Sequence, residues 1–312
     1  MALWHRFTWI AYAAAFTGVI GHASSEFVSV LGGLSGPETS VWRFTLGGAG
    51  LVVVALCLPE SRDLLTPLRR HGLRITGLAI LGVTIAYLAF HWSLDFATVP
   101  QVATLVTGIP IFVVLFAAVV DRSRLASVKL ATGGLALAGV ALLVTDGYLA
   151  ELAGARRNLF GMALVLCCAA SVAGYVVLIR PLVVEYGALR ATALTMSIGG
   201  AGLWVIVGIA WGHWVDFSRL ATMPADTFAS ILVLALFNTT LTQFLWIGGL
   251  AATPDLARSA YLFFLKPVIA AGLAVAFLAQ ELTVYQVGAA VLICSTVLVE
   301  LYWPRIAGCF RT

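Results

Sequence analysis

Three basic residues, Arg43, Arg258 and Lys266, lie inside long apolar runs of this 312-residue chain. A cation at the centre of a bilayer costs at least a few kcal/mol when it faces lipid, so we expect all three to face protein or water. Lys266 is the deepest, because at about 1.5 Å per residue it lies roughly 16 Å into a helix that starts near Asp255. A cation at this depth favours binding of a carboxylate or a phosphate group.

Two prolines are predicted to interrupt their helices. Pro267 follows Lys266 directly, and Pro110 lies in the corresponding place in the first half of the chain. Proline has no N–H, so it frees a backbone carbonyl one turn back and favours a break or hinge. A charge beside a helix break at the bilayer centre is typical of a substrate or ion site.

Each cation also has a purely structural interpretation. Lys266 could form a buried ion pair with Glu26. Arg258 could pair with Asp255, three residues earlier on the same helix face. Arg43 lies near the start of its helix and could extend to the membrane interface. These alternatives stay open at the level of the sequence.

An acid and a histidine in the first apolar run form a candidate proton-coupling pair. His22 precedes Glu26 by one helical turn, on the same face. A neighbouring carboxylate raises the pKa of a histidine towards neutrality, where it can exchange protons. The alternative is that Glu26 lies close to the end of the helix and is simply in water.

Polar and aromatic residues recur at helical spacing and are predicted to line a cavity with Lys266. Asn238 with Thr242 follows the i, i+4 pattern, and Thr239, Gln243 and Trp246 form a second row. Taken singly, each could equally be an interhelical hydrogen bond or an interfacial aromatic. The full set of predicted substrate-binding residues is Lys266, Tyr261, Arg258, Asn238, Thr242, Trp246, Tyr87, His91 and Arg43.

Nothing in the sequence indicates an enzyme, a metal site or a bound cofactor. It contains no phosphate-binding loop with its lysine and no Gly-x-Ser-x-Gly motif. The five cysteines lack metal-ligand spacing and are interpreted as small apolar residues. The expected partners are a small-molecule substrate and the lipid bilayer, without nucleic acid, and assembly as a homodimer is left open.

The composition requires a membrane environment for the elements that position these residues. The chain is 61% hydrophobic and 10% charged, with a mean hydropathy of +1.02, far outside the range of soluble domains. A bilayer core of about 30 Å needs roughly 20 apolar residues per helix. The sequence therefore predicts an all-α membrane protein with ten transmembrane helices, near 8–30, 40–58, 73–92, 98–120, 125–145, 159–179, 191–212, 226–249, 255–278 and 283–303.

The distribution of Lys and Arg predicts the orientation. With ten helices, twelve basic residues fall on the side of the two termini and only Arg156, Arg157 and Arg219 on the other. Basic residues are retained on the cytoplasmic side. Both termini are therefore predicted to be cytoplasmic, and the same bias explains the net charge of +4 without nucleic acid.

The two halves of the chain are weakly similar to each other. Moving Ala103–Leu143 forward by 157 positions places it on Ala260–Glu300 without a gap, and aligns Pro110 with Pro267. Five helices per half make the two repeats antiparallel. Inverted repeats of this kind are typical of secondary transporters, with the site where the repeats meet. We place the repeats at 1–148 and 156–303.

Several motifs resemble the EamA-type transporters of the drug/metabolite transporter superfamily. Phe263–Val268 resembles the family's Pro-Val motif, and Gln280–Gly288 resembles its Gly-Glu-x-Leu-Thr hairpin followed by Gln-x-x-Gly. The first half carries a similar Ile109–Phe112 segment, and Arg43-Phe44 is similar to the family's start of helix two. The hairpins depart from the pattern, since Gln280 replaces the usual Gly and Arg124 replaces an acidic residue.

The resemblance implies two inverted five-helix repeats around a central cavity in the bacterial inner membrane. It also implies a secondary transporter that works by alternating access and exports small organic metabolites, such as amino acids or other carboxylates. The alternative function is a non-transporting membrane scaffold or accessory subunit.

Overall fold

The computed structural model describes residues 7–122, 127–145, 156–214, 216–278 and 282–309. All regular structure in these ranges is helical. Ten helices follow one another: α1 (Thr8–Ala23 and Ser25–Leu31), α2 (Gly36–Cys57), α3 (Leu65–Ala79, Ile80–Ile85 and Ala86–Ser93), α4 (Val99–Val106 and Ile109–Val120), α5 (Ser127–Thr145), α6 (Arg156–Tyr186), α7 (Ala188–Trp211), α8 (Ala225–Leu232, Val233–Leu241 and Thr242–Ala252), α9 (Leu256–Ala260, Tyr261–Leu265 and Lys266–Leu278) and α10 (Val284–Cys309).

The predicted all-α membrane fold is confirmed. Nine helices of the described ranges are long and apolar enough to cross a bilayer, and α1, which is divided at Ser24, completes the ten. We call the end of the bundle where α1 begins and α10 finishes the terminal end, and the opposite end the far end.

Some helices are longer than their predicted apolar cores. α3 begins at Leu65 instead of near residue 73, and α6 runs over Arg156–Tyr186 instead of 159–179. Hydropathy detects only the part of a helix in lipid, whereas polar end turns can continue the helix into the headgroup region. Pro67 does not prevent the early start of α3, because proline is tolerated in a first turn.

The repeat is visible in the backbone of α4 and α9. Thr98 caps α4 by accepting from the Gln101 N–H, and Asp255, 157 residues later, caps α9 by accepting from the Arg258 N–H. Each helix then leaves α geometry just before its proline. In α4 this is a turn at 107–108, and in α9 it is the 3-10 segment Tyr261–Leu265. The two related helices start at opposite ends of the bundle.

Two further irregularities occur at related places in α3 and α8. Ile80–Ile85 and Val233–Leu241 are π-helical. In α8, the wider turns allow the hydroxyl of Thr239 to donate to the Leu234 carbonyl and that of Thr240 to the Ala235 carbonyl. Short π segments frequently occur at functional sites, and both of these adjoin the centre of the bundle.

Small residues let the helices pack closely around that centre. α1 lies against α8 so tightly that a Cβ atom added to Gly18 would be 2.8 Å from Cβ of Trp246. α2 packs on α7 and α5 packs on α10, each pair joining one repeat to the other. The close contacts allow α1, α3, α4, α6, α8 and α9 to surround one point in the middle of the bundle.

Candidate functional site

A small cavity lies at the point where the six central helices meet. Its volume of about 30 Å³ has room for one or two water molecules. The bundle is therefore closed around its centre in this conformation. The lining includes His22, Ser25, Tyr87, Phe90, Cys168, Tyr175, Gln243, Trp246, Phe263 and Lys266.

The broken helices α4 and α9 supply related pairs of lining residues. Val106 and Ile109 flank the break in α4, and Phe263 and Lys266 occupy the same two repeat positions in α9. The geometry is therefore shared between the repeats, but the chemistry is not. Only the second repeat places a cation at this position.

Lys266 is held in place by the irregular start of α9. The 3-10 segment before it ends where Lys266 and Pro267 begin the next α-helical segment. Its side chain is 5% exposed, and its Nζ lies 5.6 Å from the centroid of the Phe263 ring. The lysine thus has an aromatic neighbour that stabilises a cation.

A second cavity meets the first at Lys266. It encloses about 260 Å³ between the far-end parts of α1, α4, α5, α9 and α10. Thr107 and Gln286 are its polar lining residues besides Lys266. Lys266 therefore borders both the closed centre and a larger space on the far-end side.

His22 is the other polar group at the centre whose position suggests a ligand. Its ring is buried between Trp246 and Phe263, with centroid distances of 6.0 and 5.6 Å. Its Nε2 atom has no hydrogen-bond partner within the described part of the chain. Buried polar atoms in proteins are almost always hydrogen-bonded, so we expect Nε2 of His22 to bind a water molecule or a ligand.

Tyr87 and Gln243 also line the central cavity and are hydrogen-bonded to each other. The amide nitrogen of Gln243 donates to the hydroxyl of Tyr87, and both side chains are buried. Ser25, Cys168, Tyr175 and Phe263 were not predicted as site residues from the sequence. For Phe263, the signals were its place in the Phe263–Val268 motif and its spacing of three residues from Lys266, which places both on one face.

Arg43 and His91 form a hydrogen-bonded cluster directly behind Tyr87. Nε of Arg43 donates to the Thr239 hydroxyl at 3.0 Å, and Nη1 lies 3.3 Å from Nε2 of His91. Arginine can only donate, so Nε2 of His91 accepts, and Nδ1–H donates to the Tyr87 carbonyl at 2.9 Å. Arg43 is 1% exposed, so it does not extend to the interface.

Asn238 and Thr242 lie where α8 contacts α1. The Asn238 amide donates to the Gly21 carbonyl and to the Ser24 hydroxyl. The Thr242 hydroxyl occupies the space that a side chain at Gly21 would need. These two residues hold helices together beside the cavity, which agrees with the interhelical interpretation of their spacing.

Arg258 and Tyr261 lie apart from the cavity, in a polar cluster at the terminal end. Nη2 of Arg258 lies 3.5 Å from Oδ2 of Asp255, which is the pair that the structural interpretation of the sequence predicted. Its Nε lies 3.6 Å from Oε1 of Glu300. The Tyr261 hydroxyl donates to the Lys129 carbonyl, and the Lys129 ammonium lies 3.0 Å from Asp255. We call these five residues, with Thr132, the terminal cluster.

Asp255 precedes the membrane-spanning part of α9, and the pKa of its carboxyl group is lowered. Partial burial acts to raise the pKa of its carboxyl group. The hydrogen bond from the Arg258 backbone N–H and the bond from Lys129 outweigh burial and hold this pKa below its ordinary value.

Some predicted features lie outside the described residues or side chains. The backbone of Glu26 belongs to the second segment of α1, but its side chain is not described, so its pairing with His22 or Lys266 stays a prediction. The hairpin residues Arg124 and Gln280 fall in the gaps 123–126 and 279–281. Pro110 and Pro267 each stand second in an α-helical segment that follows a break.

The architecture and the site define a class of protein. Two antiparallel repeats, broken helices facing each other across the centre and a buried cation beside them are the features of secondary transporters. The sequence matches the EamA-like transporter family over residues 7–145 and again over 159–301. The chain belongs to this family, which confirms the resemblance found in the motifs.

Individual relatives agree with this assignment. The chain is 28% identical over 199 residues to the uncharacterized transporter YcbK of Bacillus subtilis, a match that spans 62% of each protein. It is 25% identical over 203 residues to an uncharacterized transporter of Archaeoglobus fulgidus, spanning 65% of this chain and 67% of the relative. The match therefore covers less than two thirds of the Bacillus protein.

The fold also occurs in a known crystal structure. It superposes with a TM-score of 0.79 over 95% of this chain and 98% of the other, at 18% sequence identity. At this identity the likeness concerns the fold.

Proposed function

We propose that the protein is a secondary transporter that exports small organic molecules carrying a carboxylate group, by alternating access. In this proposal it resides in the bacterial inner membrane with both termini in the cytoplasm. The terminal end is then the cytoplasmic end. The support for this orientation is the excess of Lys and Arg on the side of the termini.

One observation carries the choice of substrate class: Lys266 borders both cavities. A carboxylate that enters from either side would meet the same cation, as alternating access requires. Nε2 of His22 and the amide of Gln243 line the same space and supply further polar contacts. The rings of Trp246, Phe263 and Tyr87 would pack on the apolar body of the molecule.

The breaks in the helices support movement. In each repeat, one central helix carries a π segment and the next is interrupted before a proline. Such interruptions lack some of the hydrogen bonds that stiffen a regular helix, so they are natural places for bending. The proposed motion widens the central cavity, which in the closed arrangement has room for only one or two water molecules, as one repeat tilts against the other.

The test uses ligand-dependent thermal stability of the purified protein in detergent. The panel contains carboxylates, amino acids, phosphorylated metabolites and nucleobases, and each is tested against wild type, Lys266→Met and Lys266→Arg. A compound that binds only the folded state raises the unfolding temperature. Lys129→Met is the matched control, because Lys129 and Lys266 are the two lysines of the chain.

The expected result is that carboxylates stabilise wild type and Lys129→Met. Lys266→Met should weaken their binding by at least tenfold, which corresponds to about 1.4 kcal/mol, and Lys266→Arg should retain part of it. Equal stabilisation of Lys266→Met and wild type would move Lys266 to a structural role. If no compound binds and reconstituted vesicles transport none of the panel, the scaffold function takes precedence.

A further inference from the structure

Glu300 is a deeply buried carboxylate that the proposed substrate site does not use. It lies near the end of α10 and is 1% exposed. Its Oε2 accepts a hydrogen bond of 3.3 Å from Thr132. Its Oε1 accepts none from the described residues, and the nearest cation is Nε of Arg258 at 3.6 Å. A buried carboxylate ion needs several good hydrogen bonds. The described residues give Glu300 only one, so its ionised form is weakly stabilised.

The terminal cluster joins the two repeats through this residue. Lys129 and Thr132 come from α5 in the first repeat. Asp255, Arg258 and Tyr261 on α9 and Glu300 on α10 come from the second. We call the contact of α5 with α9 and α10, where the two repeats meet, the seam. Three interactions cross it: the Lys129–Asp255 pair, the Thr132–Glu300 bond and the bond from Tyr261 to the Lys129 carbonyl. Opening the terminal end between the repeats must break these links.

The charges of the cluster balance only while Glu300 is ionised. Two cations, Lys129 and Arg258, face two carboxylates, Asp255 and Glu300. When Glu300 takes up a proton, both cations share the one carboxylate of Asp255. Lys129 lies on the first repeat and Arg258 on the second, so their uncompensated repulsion acts across the seam.

We propose that Glu300 is a proton-binding site whose protonation opens the cytoplasmic end of the transporter. Oε1 takes one proton from water, and the carboxylate becomes a neutral acid. The groups that face it are Thr132 and Lys129 from α5 and Arg258, Asp255 and Tyr261 from α9. The described structure, closed at this end, is the deprotonated state. The inference rests on the proposed function for its orientation and its transport cycle.

The native cysteine Cys168 provides a test that needs no substrate. It is 1% exposed and lines the central cavity, so a thiol reagent from the cytoplasm reaches it only when the terminal end opens. The other four cysteines are replaced by serine. Inside-out vesicles are then treated with a membrane-impermeant maleimide between about pH 5 and 8. At each pH the rate of Cys168 labelling is divided by the rate for the unfolded protein, because the maleimide reacts with the thiolate, which becomes scarcer as the pH falls.

The expected result is that this normalised labelling rate of wild type rises as the pH falls, because protons open the cluster. Glu300→Gln, which resembles the protonated acid, should have a high normalised rate at every pH. Glu300→Asp should keep a pH dependence with a displaced midpoint. The inference is overturned if Glu300→Gln elutes as a folded monodisperse protein and yet shows the wild-type rates and pH dependence.

If Glu300→Gln does not fold, the midpoints of wild type and Glu300→Asp decide the question, and identical midpoints overturn the inference. Failure of the two proposals can be distinguished. pH-dependent opening without transport of any carboxylate removes the proposed function and leaves the proton site. Transport of a carboxylate, together with Cys168 labelling that is the same in wild type and the Glu300 variants, removes the proton site and leaves the proposed function.

Discussion

The two lysines of the chain mark two regions that bury charge in different ways. Lys266 lies at a cavity among aromatic rings, near His22, whose Nε2 atom has no hydrogen-bond partner among the described residues. Lys129 lies at the terminal end, in direct contact with the carboxylate of Asp255. Lys129 therefore links two helices through an ion pair, whereas Lys266 lies on the walls of two cavities, where a ligand can reach it.

Helix α9 belongs to both regions. Its first turn contributes Asp255 and Arg258 to the terminal cluster, and its 3-10 segment leads directly to Lys266. A tilt of α9 that separates the cluster would therefore also move Lys266. The ion pairs that join the repeats and the group proposed to bind the ligand are therefore built on one helix.

The largest effect is expected behind the central cavity, at Arg43. Arg43→Leu removes the donors that serve Thr239, the Asn238 carbonyl and Nε2 of His91. Each buried group left without a partner costs about 1–3 kcal/mol, so we expect a loss of about 3 kcal/mol or more. The measurement is the unfolding temperature in detergent.

Arg69→Leu is the control for that change, because Arg69 lies on an exposed face of α3. Its unfolding temperature should stay near that of wild type. Equal losses in the two variants would contradict the role of Arg43 as the support of Tyr87 and the cavity wall.

The next effect concerns the terminal cluster. Lys129→Met removes the ion pair that crosses the seam to Asp255, so labelling of Cys168 from the cytoplasmic side should become several-fold faster. Carboxylate binding should be little changed, since Lys129 does not line either cavity at Lys266. If Lys129→Met left Cys168 labelling unchanged and lost carboxylate binding, Lys129 would belong to the binding site and not to the links between the repeats.

A smaller change should follow at Gln243, on the wall of the central cavity. Gln243→Leu keeps the volume but leaves the Tyr87 hydroxyl without the amide donor. Loss of one such bond is worth about 1 kcal/mol, so carboxylate affinity should fall a few-fold in the thermal-shift titration. Thr132→Val, which removes a hydroxyl from the terminal cluster instead, should leave that affinity intact.

The sequence predicted much of the central region because its signals are local. A lysine followed by proline deep in an apolar run, and a tryptophan in the neighbouring helix, are visible without a fold. The breaks before Pro110 and Pro267 were also predictable, since proline removes a backbone donor. The π segments of α3 and α8 were not, because neither contains a proline, and hydropathy does not distinguish π from α turns.

The terminal cluster was beyond prediction for a different reason. Lys129, Asp255 and Glu300 lie in three separate helices, and their meeting depends on how α5, α9 and α10 pack. Only the Asp255–Arg258 pair, three residues apart, was visible in the sequence. Glu300 itself stood at the end of the repeat alignment, opposite Leu143, and its lack of symmetry was the one available signal.

The smallest effect should distinguish the two functions of Asp255, which caps α9 and pairs with Lys129. Asn is as good a cap as Asp, so Asp255→Asn removes the ion pair and keeps the cap. The carboxylate is partly exposed, at 32% of its side chain, so the pair is worth about 1 kcal/mol or less.

The pH dependence gives the sign of that contribution. Because the pKa of Asp255 is lowered in the folded protein, its stabilisation is fully present above the ordinary carboxyl value of about 4. It is lost as the pH falls through the lower folded value. The difference in unfolding temperature between wild type and Asp255→Asn should therefore shrink as the pH falls below about 4. A difference that persists at low pH would mean that the loss in Asp255→Asn does not come from the pair with Lys129, and the link across the seam would then depend on Glu300 and Tyr261.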